Sequence, residues 1–148
     1  MKRVLAFIAA VAATYVLAVL MYTQLNLGNV VEMGLTVTMA DRASAAVHDL
    51  MGMMMLYLPI IAVAFLIAFA ITHTVLRWVP QLRTLGYILA GFVGIYVVNY
   101  LLVSLLMSGA HPLAVTRTTV GLLSQCVAGA IGGYVFVRML PLPGVTST

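Results

Sequence analysis

MGMMMLYLPIIAVAFLIAFAITH, residues 51–73, runs for 23 positions without one Asp, Glu, Lys or Arg. A helix of that length rises about 1.5 Å per residue and so reaches about 35 Å, enough to cross a hydrocarbon core of about 30 Å. Three further runs, at about 4–22, 84–107 and 118–138, are of similar length and almost as free of charge. The whole chain is 64% hydrophobic and 7% charged, with a mean hydropathy of +1.18, which excludes an ordinary soluble domain. Backbone groups in lipid must find partners within their own segment or in a closed barrel. A barrel would show short alternating segments, whereas these runs are apolar on every face. The expected fold class is an all-α integral membrane protein: one membrane domain over 1–148, built as a four-transmembrane-helix up-down bundle with an outer loop at 23–50.

Lys2 and Arg3 precede an apolar run containing Ala10-Val11-Ala12, as in a signal peptide. Cleavage there would leave a core shorter than the usual 7 to 15 residues, so the run reads as an uncleaved first span. Placing the N-terminus inside puts Lys2, Arg3, Arg77, Arg83 and Arg138 on the cytoplasmic side and only Arg42 and Arg117 outside. That bias predicts the plasma (inner) membrane, multi-pass, with both termini cytoplasmic. All three acids, Glu32, Asp41 and Asp49, then lie outside. The net charge of +4 therefore reads as topology and contact with anionic headgroups, with no nucleic acid as partner.

Within the outer loop, residues 27–34 carry turn formers and no strong period, which predicts irregular chain. Thr38-Met39-Ala40-Asp41 fits a capping box and predicts a short amphipathic helix before span two, either in the interface or continuous with that span. The stretch 77–83, with Trp78 as aromatic anchor, is an inner turn, and 108–112 begins the outer one. Short links force antiparallel neighbours, so span three should pack on both two and four. The tail 141–148 is expected to be a loose cytoplasmic end.

Small residues mark the close contacts. Gly121, Gln125, Ala128 and Gly132 share one face of span four, with Gly129 and Gly133 beside it. Ala6, Ala10 and Ala13 on span one, and Gly91 with Gly94 on span three, offer matching stripes. Span four is expected to close its own bundle, with pairing to a second copy as the alternative.

Counting inward from the outer ends places Thr14, Tyr57, Asn99 and Gln125 at one level, about 9 to 12 Å deep, near a bend expected at Pro59. The favoured reading is a layer of interhelical hydrogen bonds; the alternative is an outward-facing polar pocket. Above it lie His48, Asp49, His111 and Arg117, read as interfacial polarity with an Asp49–Arg117 ion pair, or as a site for an anionic headgroup or small acid. His73 lies at the opposite end of span two. Ligand-binding candidates are therefore His48, Asp49, Tyr57, Asn99, His111, Arg117 and Gln125. No nucleophile with a positioned base is evident, so no catalytic residue is assigned.

Most of the ten methionines lie toward the outer side, and Met51, Met54 and Met55 with His48 form an alternative soft-metal (copper) set. Flexible apolar filler is the favoured role, and no cofactor or resident metal is expected. Cys126 reads as an inert apolar residue. The expected function is that of a small non-enzymatic membrane protein. It would bind a lipid or a membrane-protein partner through its outer polar layer and small-residue face. A small oligomeric transporter is the second reading and an outer-face copper site the third.

Overall fold

The computed structural model describes residues 2–101 and 119–140, and all regular structure among them is helical. Four helices follow in order: α1 (Lys2–Glu32), α2 (Met39–Val75), α3 (Arg83–Leu101) and α4 (Thr119–Met139), with a single 3-10 turn, Pro80–Leu82, leading into α3. Each is long and apolar enough to cross a membrane. Neighbours run antiparallel. α1 packs on α2 and α4, and α3 packs on the same two, so α2 and α4 face each other across the bundle. The starts of α1 and α3 and the finishes of α2 and α4 gather Lys2, Arg3, Arg77, Arg83 and Arg138 at a basic end. Glu32, Asp41 and Asp49 lie at the opposite, acidic end.

Two helices are longer than the apolar runs that announced them. Residues 27–32, expected to be irregular, continue α1 to Glu32. Two side-chain bonds tie the first residues of α1 beyond its apolar run to α2: Thr23 Oγ1 donates to Asp49 Oδ2 at 2.7 Å, and Arg42 Nη1 donates to Gln24 Oε1 at 2.8 Å. The helix stops only at Gly34, whose φ of +86° suits glycine. There the Gly34 amide donates to the Val31 carbonyl and the Leu35 amide to that of Val30, the paired bonds of a Schellman motif. A glycine after the last apolar position is a stop signal, and Gly34 carried it; Gly28 and Asn29, which suggested an earlier stop, are tolerated inside the helix.

The amphipathic stretch takes the continuous form of the two expected. Thr38 caps as predicted, accepting from the Asp41 amide while Asp41 Oδ2 accepts from the Thr38 amide. The helix then runs unbroken through span two. Nothing between Asp49 and Met53 interrupts it, since Gly52 costs only about 1 kcal/mol in a helix and meets no neighbour. α2 also continues through Pro59, which sits exposed on its outer side.

Glycines let the backbones approach. A Cβ on Gly91 would collide with the Gly129 carbonyl oxygen, one on Gly133 with that of Tyr87, and one on Gly132 with Thr14 Oγ1. So α4 is wedged between α3, met by Gly129 and Gly133, and α1, met by Gly132. The small face of span four is thus used inside the chain. Gly91 and Gly94 serve different neighbours, since a Cβ on Gly94 would lie 3.2 Å from Ala68 of α2. Around this spine the exterior is apolar, with Leu66, Ile67, Leu89, Val93, Leu123 and Val127 all exposed.

Candidate functional site

Three groups of polar side chains stand out in this apolar bundle, one in the core and one at each end. The core group is the expected layer, with one member displaced. Tyr57 donates its hydroxyl to Gln125 Oε1 at 3.0 Å, and Gln125 Nε2 donates to the Ala18 carbonyl at 3.0 Å. α1, α2 and α4 are therefore joined through one glutamine. Asn99 adjoins the Tyr57 hydroxyl and donates its own amide to the Ile95 carbonyl at 3.0 Å. Gln125 has no exposure, Asn99 has 2% and Tyr57 6%, so the layer is buried. A buried polar group costs least when its partners are present, as they are for Tyr57 and Gln125.

Thr14 does not join the layer. Gln125 meets α1 at Ala18, one helical turn from Thr14, and the Thr14 side chain instead covers Gly132. Its hydroxyl is fully buried and finds no hydrogen-bond partner among the described residues. Counting residues from assumed span ends located it only to within a turn, which is too coarse to decide which helix level it meets.

At the acidic end, Asp49 accepts from buried Thr23, and Tyr15 donates to the Leu50 carbonyl, so both fasten α1 to α2. His48 is exposed on another side of the helix. His111 and Arg117, and with them the expected Asp49–Arg117 pair, lie outside the described residues. Met51, Met54 and Met55 are 73%, 56% and 92% exposed, pointing away from the bundle like the apolar exterior below them. Among the described residues no cluster of three or more His, Cys, Asp or Glu could hold a metal. The Asp41 carboxyl is held below its usual range by the Thr38 hydroxyl and amide, as a capping carboxylate should be.

The third group lies at the basic end, where the sequence offered no binding candidate. A cleft of about 250 Å³ opens there, lined by Arg3, His73, Leu76, Arg77, Pro80, Arg83, Tyr87 and Leu140. A second recess adjoins it and shares Pro80, Arg83 and Leu140. Arg83 Nη2 donates to the Leu140 carbonyl at 3.4 Å, joining α3 to the finish of α4. Arg138 lies over the Tyr134 ring, 5.4 Å from its centroid, and bonds its hydroxyl. The signal for this cleft was present as charge. Arg3, His73 and Arg83 each stand four residues from an aromatic residue, Phe7, Phe69 and Tyr87, and that spacing puts both members of a pair on one helix face.

Tyr87, which lines the cleft, also belongs to an aromatic cluster with those phenylalanines. Phe69 meets Phe7 at 6.4 Å, Tyr87 at 5.4 Å and Phe136 at 4.5 Å between ring centroids, so all four helices contribute. The cleft thus carries basic side chains and adjoins this aromatic cluster through Tyr87. No protein-family model, curated protein or solved structure matches this chain.

Proposed function

We propose that this chain is a multi-pass protein of the plasma (inner) membrane, with both termini cytoplasmic, that works by binding membrane lipid and not by catalysis or conduction. Four apolar helices with an apolar exterior suit a lipid surround. The grouping of Lys2, Arg3, Arg77, Arg83 and Arg138 at one end suits a cytoplasmic placement of that end. One observation carries the choice of binding over conduction: the Tyr57–Gln125–Ala18 chain of hydrogen bonds closes the bundle at full burial. A conducting path would need those groups hydrated or free to bond a passing solute. With the core layer spent on itself, the polar groups left to meet a ligand are those at the ends.

Two measurements test the reading. Single cysteines at Thr36 and Gln81 report topology in sealed vesicles of either orientation; a membrane-impermeant thiol reagent should reach T36C only from outside and Q81C only from inside, and the reverse pattern overturns the orientation. Lipid extracted from protein purified in mild detergent should remain at stoichiometric level after extensive washing. Protein free of lipid, yet folded by circular dichroism, would sink the proposed function.

A further inference from the structure

The lipid-binding reading leaves open where the lipid is held and what headgroup it carries. We infer that the cleft at the basic end seats the phosphate of an anionic phospholipid in the inner leaflet, gripped by Arg3, Arg77 and Arg83. Cations at the cytoplasmic ends of spans are ordinarily spread around the rim as topological signals. Here three guanidinium groups from α1, the link after α2, and α3 line one concavity. Arginine presents planar, forked donors suited to phosphate oxygens, and a basic recess between helices at this depth is a recognised form of headgroup site. None of the three acidic side chains of the chain is at this end, so a phosphate meets no opposing carboxylate from them.

The rest of the cleft argues for a phospholipid over free phosphate. Leu76 and Tyr87 give the same cavity an apolar wall beneath its charges, where the glycerol and first acyl carbons would lie. Val4, Leu5 and Ile8 on α1 and Ile71 and Val75 on α2, toward the same end of the bundle, are exposed apolar side chains. Trp78, 86% exposed beside Arg77, marks the headgroup level where aromatic anchors settle.

The test uses the full chain in detergent with three probes: short-chain phosphatidylglycerol, phosphatidylcholine of the same chain length, and inorganic phosphate. Phosphatidylglycerol should raise the thermal midpoint at concentrations where the other two do not, since a ligand that binds only the folded state stabilises it. The double variant R3Q/R77Q should need roughly thirtyfold more phosphatidylglycerol for the same shift, taking about a tenfold effect for each 1.4 kcal/mol and about 1 kcal/mol per cation near an anionic surface. R3K/R77K should recover part of that loss; it also serves as the readout if the glutamine variant does not fold. Equal shifts from both lipids, or an unchanged response in R3Q/R77Q, overturn the site. An equal shift from inorganic phosphate overturns the lipid as its occupant. If lipid still co-purifies in those cases the proposed function stands and this site alone fails; if none does, both fail.

Discussion

The Gln125 layer and the basic cleft are both polar clusters in a chain that is 64% hydrophobic, and they differ in depth and in charge. Gln125 uses its carbonyl on Tyr57 and its amide on Ala18, and nothing of it is exposed. The cleft gathers three arginines away from every acidic side chain, and one of them, Arg83, also bonds the Leu140 carbonyl. Polar groups at membrane depth often serve function, yet here the deep group acts as a joint, in line with the favoured reading of it as a layer of interhelical hydrogen bonds. The cleft lies at one end of the bundle, and it is there that we propose a ligand binds.

That contrast can be broken from either side. The largest effect is expected from Gly133→Leu, which drives a side chain into the Tyr87 carbonyl and forces α4 off α3. Overpacking of this kind costs about 1 to 3 kcal/mol in soluble cores, and more where backbones touch. The variant should lose cooperative melting, and deuterium uptake at residues 121–129 should show the polar layer opened. Native-like protection there would mean that the glycine seam does not seal it.

Gln125→Leu comes next, at about 1 to 3 kcal/mol, because it leaves the Tyr57 hydroxyl buried without its acceptor. Adding Tyr57→Phe should return part of that loss, since the orphaned hydroxyl is then removed as well. A double variant no better than Q125L, measured by denaturant or thermal unfolding, would show that the layer is not a matched set. Thr14→Val should act in the opposite direction and stabilise by about 1 kcal/mol, as it deletes a buried hydroxyl that has no partner among the described residues. A destabilised T14V would reveal a partner for that hydroxyl.

At the cleft the same type of substitution should hardly alter the lipid-free fold. R3Q/R77Q is expected to shift unfolding by less than about 0.5 kcal/mol, as exposed surface changes usually do. A large shift would make the cleft a joint like the Gln125 layer and erase the contrast. The smallest effect is confined to the cap of α2. Because the Asp41 carboxyl is depressed below 3.8 in the fold, its contribution is present above that value and lost as pH falls through the lower folded value. Amide exchange at residues 39–42 should therefore quicken only in strong acid, with the rest of α2 unmoved; fraying already at pH 5 would contradict the cap.

Much of this arrangement was legible in the residues themselves. The four helices follow from run length and the absence of charge, and the start of α2 follows from the reciprocal bonding of Thr38 with Asp41. Gly129, Gly132 and Gly133 marked a close helix face because only small residues let backbones touch. The extension of α1 to Glu32 was harder to read. It is preceded by Thr23 and Gln24, which meet Asp49 and Arg42, partners 26 and 18 positions away in the chain. Local composition around Gly28 and Asn29 holds no trace of those bonds.

By itself, then, the sequence determined the number of helices, their antiparallel order and the segregation of basic from acidic residues, because these follow from local periodicity and one-dimensional spacing of charge. It also supplied the small faces and the candidate polar residues. Tertiary structure decided which of those polar residues meet. Rotation and axial shift between helices are set by interlocking side chains, so Thr14 could fall one turn from Gln125 while Arg3, Arg77 and Arg83, scattered across 81 positions, came to line a single cleft.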